Sequence, residues 1–174
     1  LGWYVWNGPA LLQAPSQLKA LPPGTHRVLI SFTNHQLQAL AQPPGQQRLT
    51  QLVAKAKQRG VRVELLLGEP TWALPEGRAQ LLRLIQSVRH LPFNALHLDL
   101  ERSQLPEADQ PQWDQGVLDT VRAVRGIAPW PVALTTHYRE FESPGFAQRL
   151  QEAGASELTA MLYVSNTDRT FYSE

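Results

Sequence analysis

Near the middle of the chain, Asn94-Ala-Leu-His-Leu-Asp-Leu-Glu101 alternates apolar and polar side chains. In an extended strand, alternate residues share a face, with next-but-one side chains about 6–7 Å apart. His97, Asp99 and Glu101 therefore line up on one face, opposite Leu96, Leu98 and Leu100. Two acids stacked in a restricted hollow repel each other and resist ionising together. An acid that keeps its proton can give it to a leaving oxygen, which is the general-acid half of glycoside hydrolysis. The sequence therefore marks Glu101 as a candidate acid and Asp99 as the group that holds or tunes it. The competing expectation is that these acids are tied to Arg62, Arg102 or a helix arginine.

Other ends of apolar runs carry residues of matching chemistry. They are Trp6 and Asn7, then Asn34 and His35, then Gly68, Glu69 and Trp72, then Thr136, His137 and Tyr138, and last Tyr163, Ser165 and Asn166. This is a set of carboxylates, aromatics and neutral hydrogen-bonders with few cations. Aromatic faces stack on the C–H face of a sugar, and carboxylates and amides take its hydroxyls. Trp6, Glu69, Trp72, His97, His137 and Asn166 are the candidate substrate-binding residues. A phosphate site would call for Arg, Lys or a glycine nest, and no G-x-G-x-x-G or Walker pattern occurs.

The elements that must position these residues follow a repeating rhythm. Strands are expected at 2–6, 28–33, 61–67, 95–100, 132–136 and 158–164. Helices are expected at 36–59 (split by Pro43-Pro44-Gly45), 78–88, 113–125 and 146–153, from apolar residues at i, i+3, i+4 spacing. Strand–helix alternation predicts parallel strands joined by right-handed crossovers, an α/β fold. Several strands alternate polar with apolar, where central strands of a doubly wound sheet read as continuous apolar runs. A (β/α)8 TIM-barrel-like fold is therefore expected over a single domain, 1–174, with a doubly wound sheet as the alternative. About six strand–helix units are legible where a closed barrel has eight. The reading is thus of a barrel lacking its last units.

The fourth-strand segment resembles that of glycoside-hydrolase-like TIM barrels, especially the D-G-x-D-x-D-x-E signature of family 18 (chitinase-like) glycoside hydrolases. Asn94 stands for the first Asp, Ala95 for the Gly and His97 for the middle Asp, while Asp99 and Glu101 match the last two positions. Met161-Leu-Tyr163 is similar to that family's Met-x-Tyr, with Val164 where an Asp usually follows. A wider likeness is to bacterial TIM-barrel proteins associated with polysaccharide functions. It rests on Trp3-Tyr4-Val5-Trp6, on Gly60-Val61-Arg62-Val63 running on to Gly68-Glu69-Pro70-Thr71-Trp72-Ala73-Leu74, and on His97-Leu98-Asp99-Leu100-Glu101, with Arg102 in place of a Pro. The resemblance implies a sugar-active barrel, periplasmic or secreted, acting on a polysaccharide or oligosaccharide. Within it Glu101 would be the acid and Asp99 its partner, and Tyr163 would assist a substrate acetamido oxygen acting as internal nucleophile. A two-carboxylate mechanism would need a second acid roughly 5–9.5 Å away, for which Glu69 and Glu64 are candidates, as is an acid on a seventh strand.

Composition narrows the alternatives. With 43% hydrophobic and 18% charged residues the chain has the balance of a globular domain. Lys plus Arg number 16 against 15 Asp plus Glu, which leaves no electrostatic footprint for nucleic acid. The absence of cysteine removes disulfides, thiolate zinc sites and cysteine nucleophiles. No apolar run approaches the ~20 residues of a membrane span, and no signal peptide is legible at the N-terminus, although Leu1 opens the chain without a Met, as in a processed fragment. No cofactor is expected. His97, Asp99 and Glu101, with His137 from the fifth strand, have the chemistry of divalent-ion ligands, but a single strand cannot supply a full set. Three readings follow: a glycoside-hydrolase-like enzyme, a non-catalytic carbohydrate-binding or polysaccharide-assembly module, and a metal-dependent hydrolase. Trp113 and Trp130 read as core, and Arg62–Glu64 as a buried ion pair.

Overall fold

The structure is a computed structural model that describes residues 1–161 together with the backbone of 171–173. Strands β1 (Gly2–Val5), β2 (Arg27–Ser31), β3 (Arg62–Leu67), β4 (Leu96–Asp99), β5 (Val132–His137) and β6 (Glu157–Met161) lie side by side in chain order, every neighbouring pair parallel. A short strand, β7 (Phe171–Ser173), pairs antiparallel with β6, an addition absent from the sequence reading. Helices α1 (Gly8–Gln13), α2 (Asn34–Leu40), α3 (Pro43–Gln58), α4 (Pro75–Val88), α5 (Trp113–Ile127) and α6 (Phe146–Ala153) fill the crossovers. A doubly wound sheet reverses its strand order at a switch point. This sheet keeps sequential order throughout, so the doubly wound alternative is set aside.

The six parallel strands form a curled half-barrel with its helices outside. One contact measures the curl. Arg27 on β2 and Glu157 on β6 meet through an N–O distance of 2.7 Å. In a flat sheet, β2 and β6 would stand four strand spacings apart, roughly 19 Å, beyond what the two side chains span together.

Alternation divides the strand residues between two environments. Val28, Ile30, Val63, Leu65, Leu67, Leu96, Leu98, Leu100, Val132, Leu134 and Leu158 join the apolar core beneath the helices. Leu49 and Leu52 of α3, Leu81 and Ile85 of α4, and Val117, Val121 and Val124 of α5 meet them. Trp113 and Trp130 are buried in this layer, as the sequence predicts. The concave face carries Arg27, Leu29, Glu64, Leu66, His97 and Asp99, with Leu29 and Leu66 forming a small apolar patch against Tyr4.

Local chemistry explains the boundaries. Pro43 and Pro44 occupy the first turn of α3, where a missing N–H costs nothing. They therefore start that helix as well as ending α2. Thr33 and Gln36 close a reciprocal capping box on α2. Helix α1 escaped the pattern because six residues hold too few apolar repeats, yet Asn7 caps it through the Ala10 amide. The sixth strand, expected at 158–164, starts one residue earlier, at Glu157, and is seen to Met161, while 162–164 lies outside the described residues.

Candidate functional site

A cleft of about 490 Å³ opens at the C-terminal ends of β2, β3 and β4 and reaches to Gln80 and Leu84 of α4. Trp6, Phe32 and Trp72 supply aromatic surface to it, and Glu69 and Asp99 supply carboxylates. Ser31, Thr33, Asn34, Gln80 and Gln104 add hydroxyls and amides. No lysine, arginine or histidine lines it among the described residues.

Each wall has a local cause. Trp6 follows β1 and is held by ring stacking on Tyr4, with centroids 5.4 Å apart and planes 3° from parallel, although more than half its surface stays exposed. Glu69 and Trp72 ride on the loop after β3, whose 3-10 turn, Pro70–Ala73, is pinned from the helix layer. The Thr120 hydroxyl on α5 donates to the Trp72 carbonyl at 2.7 Å and accepts from Arg78 Nε at 2.9 Å. Arg78 also donates to the Gly116 carbonyl at 3.2 Å. Gly116 allows this approach: a Cβ there would lie 1.9 Å from the Ala73 carbonyl oxygen. Trp72 is thereby 6% exposed, a rigid wall rather than a mobile platform.

Gly68 serves the cleft differently. A Cβ at this position would stand 2.9 Å from the Asp99 carbonyl oxygen and 3.2 Å from Asp99 Cβ. The missing side chain lets the end of β3 lie close against the backbone and Cβ of Asp99. Asp99 is itself half-buried, beside Thr135 of β5, which in turn pairs with Thr159 of β6.

Of the residues singled out from sequence, Trp6, Glu69, Trp72 and Asp99 come together around the cleft. Glu101 continues the extended backbone past β4 and is buried, only 6% exposed. Arg102, weighed as its neutralising partner, turns the other way. Its guanidinium pairs with Asp114, lies 3.1 Å from Glu140, and sits over the Trp113 ring. His137 ends β5, its ring 4.6 Å from that of Tyr138, and it does not line the cleft. Tyr163 and Asn166 lie outside the described residues.

His97 occupies a deeper layer than a substrate-binding role would place it. It is 1% exposed, and its Nε2 is 2.9 Å from Glu64 Oε2. Glu64 also faces Arg27 and Arg62, each at 3.6 Å, and Arg27 reaches on to Glu157. The expected Arg62–Glu64 pair is thus the exposed fringe of a larger buried cluster. Burial alone would raise the Glu64 pKa, but the hydrogen bond and charge of His97, with Arg27 and Arg62, outweigh it and hold the pKa below the ordinary glutamate value. This sets Glu64 aside as a second acid: it is buried, does not line the cleft, and its Oε2 is held by His97 while Arg27 and Arg62 stand 3.6 Å from Oε1. Arg27 carried no sequence signal, because its partner lies 130 residues away.

Among the described residues, no group of three or more His, Asp or Glu side chains is placed to hold a metal ion. No helix of the described chain is long and apolar enough to cross a membrane. The chain matches no known protein-family model, and no curated protein matches it.

Proposed function

We propose that this half-barrel belongs to a TIM-barrel-like, carbohydrate-active protein, whose cleft takes a segment of polysaccharide or oligosaccharide across the ends of β2–β4. The observation that carries the reading is the composition of the cleft: Trp6 and Trp72 beside Asp99 and Glu69, among five hydroxyl and amide side chains. The exposed Trp6 indole binds the apolar face of a pyranose, with the buried Trp72 as the fixed wall behind it, and the neutral hydrogen-bonders and carboxylates read the hydroxyls.

In the hydrolytic form of this proposal, Glu101 gives a proton to the leaving glycosidic oxygen and Asp99 orients it. Glu69 is then the remaining acid at the cleft to act from the other side of the bond. The resemblance to family 18 assigns Tyr163 the support of a substrate acetamido group. A second reading, a binding module without turnover, is favoured by the burial of Glu101 and its absence from the cleft lining.

A panel of neutral and charged oligosaccharides, assayed for binding and for release of reducing ends, separates these readings. Release of reducing ends that is lost in Glu101→Gln, with binding kept, supports the hydrolase. Binding that weakens in Trp6→Ala, whose ring is more than half exposed, without any release supports the module. Absence of binding across the panel overturns the carbohydrate reading.

A further inference from the structure

The cluster beneath the cleft stands apart from that reading. Among the described residues, the buried side chains able to carry charge are Arg27, Glu64, His97 and Glu101, and all four lie on the concave face of the sheet. The convex face, under the helices, is apolar apart from neutral threonines. Protonation therefore reaches deeply buried charges on one face of this sheet alone, while the acids of the helix side, Asp114 and Glu140, pair with Arg102 at a partly exposed edge of that layer.

The connections of the cluster follow the curvature. Glu64 on β3 holds His97 on β4 at 2.9 Å and faces Arg27 on β2 at 3.6 Å. Arg27, 3% exposed, spans the hollow to Glu157 on β6 at 2.7 Å. The Thr159 hydroxyl donates to Glu157 Oε1 at 3.3 Å, fixing the far end to the same strand. We infer that Arg27, Glu64, His97 and Glu157 form an acid-sensitive clamp, which holds β2, β3, β4 and β6 around the hollow and releases the curl of the sheet before the helix layer unfolds.

The direction follows from the charges that face Glu64. His97 on β4, Arg27 on β2 and Arg62 on its own strand all favour the carboxylate and outweigh the penalty of burial. A carboxylate whose pKa is lower in the folded than in the unfolded state contributes stability in full above the ordinary glutamate range. That contribution is lost as pH falls through the lowered value. A neutral Glu64 leaves His97 and Arg27 without the anion between them, and the strands they join part on the concave side. Ser31 and Asp99 belong to two of these strands, so the cleft changes shape with them.

Hydrogen exchange of the full chain, followed from pH 7 to pH 3 and corrected for intrinsic rates, tests the clamp. Peptides over Arg27–Ser31 and Glu157–Met161 should lose protection at a pH where α4 and α5 still keep theirs. In Glu157→Gln, which keeps the side-chain volume at a position 26% exposed, that loss should begin at higher pH. In Glu64→Gln the same strand peptides should exchange roughly tenfold faster already at neutral pH and respond little to acid. Should Glu64→Gln fail to fold, Glu157→Gln decides. Strands and helices losing protection together, or a Glu157→Gln profile that does not move, would overturn the inference.

Discussion

Glu64 on β3 and His97 on β4 share a 2.9 Å hydrogen bond inside the hollow, with both side chains 2% exposed. Removing one member of a buried pair leaves the other uncompensated, at a cost of about 3–5 kcal/mol. Glu64→Ala should lower the unfolding free energy by that amount in urea titrations. His97→Ala should be milder where Arg27 still neutralises Glu64. The double variant should lose less than the sum of the singles, by about 1–3 kcal/mol. Additive losses would show that the contact carries no coupling.

The alternation around His97 was legible because a period of two survives any detail of packing. Leu96, Leu98 and Leu100 do face the helix layer, opposite His97 and Asp99. Strand order was also legible, since short crossovers admit few topologies. The depth of each polar residue was not. Alternation assigns a face but says nothing of the layer, so the burial of His97 and Glu101 could not be read from it. Arg27 and Thr120 were invisible for another reason. Their partners, Glu157 and the Trp72 carbonyl, are brought near only by the tertiary fold. Gly68 stood in a recognised motif, but its close approach to Asp99 depends on register between β3 and β4.

The pinning of the Trp72 loop yields a test that does not depend on any ligand. Thr120 is fully buried and joins Arg78 to the Trp72 carbonyl. Thr120→Val keeps the shape of the side chain and removes both hydrogen bonds, leaving a buried carbonyl without its donor. The expected loss is about 1–3 kcal/mol, read by thermal unfolding. Amide exchange over Pro70–Ala73 should quicken more than over α5. Unchanged exchange there would mean that Gly116 and Arg78 hold the turn by themselves.

Arg102 lies next to Glu101 in sequence, yet it serves the helix side. Its partners are Asp114, Glu140 and the Trp113 ring, and it remains about one-third exposed. Two partly exposed ion pairs and one cation–π contact sum to about 1–2 kcal/mol. Arg102→Gln should cost that much stability, with part of the loss reproduced in wild type by high salt. Ligand binding in the cleft should be unchanged. A variant of normal stability that no longer binds would return Arg102 to the site.

Gly68 gives the sharpest test of where a ligand lies. Its backbone φ is not in the left-handed region, so an alanine there meets no backbone penalty of its own. The new methyl would stand 2.9 Å from the Asp99 carbonyl oxygen and 3.2 Å from its Cβ, and both neighbours are parts of one strand that must shift by a few tenths of an ångström. The expected stability loss is about 1–3 kcal/mol, as for other overpacked positions. Binding should suffer more than stability, because the methyl displaces Asp99 at the wall of the cleft. An oligosaccharide bound by the wild type should lose at least about tenfold in affinity, equivalent to about 1.4 kcal/mol. Asp99→Asn, which keeps the shape and removes the charge, should weaken the same ligand. If Gly68→Ala binds as the wild type does, the ligand does not reach Asp99, and its place is further out, between Trp6 and Glu69.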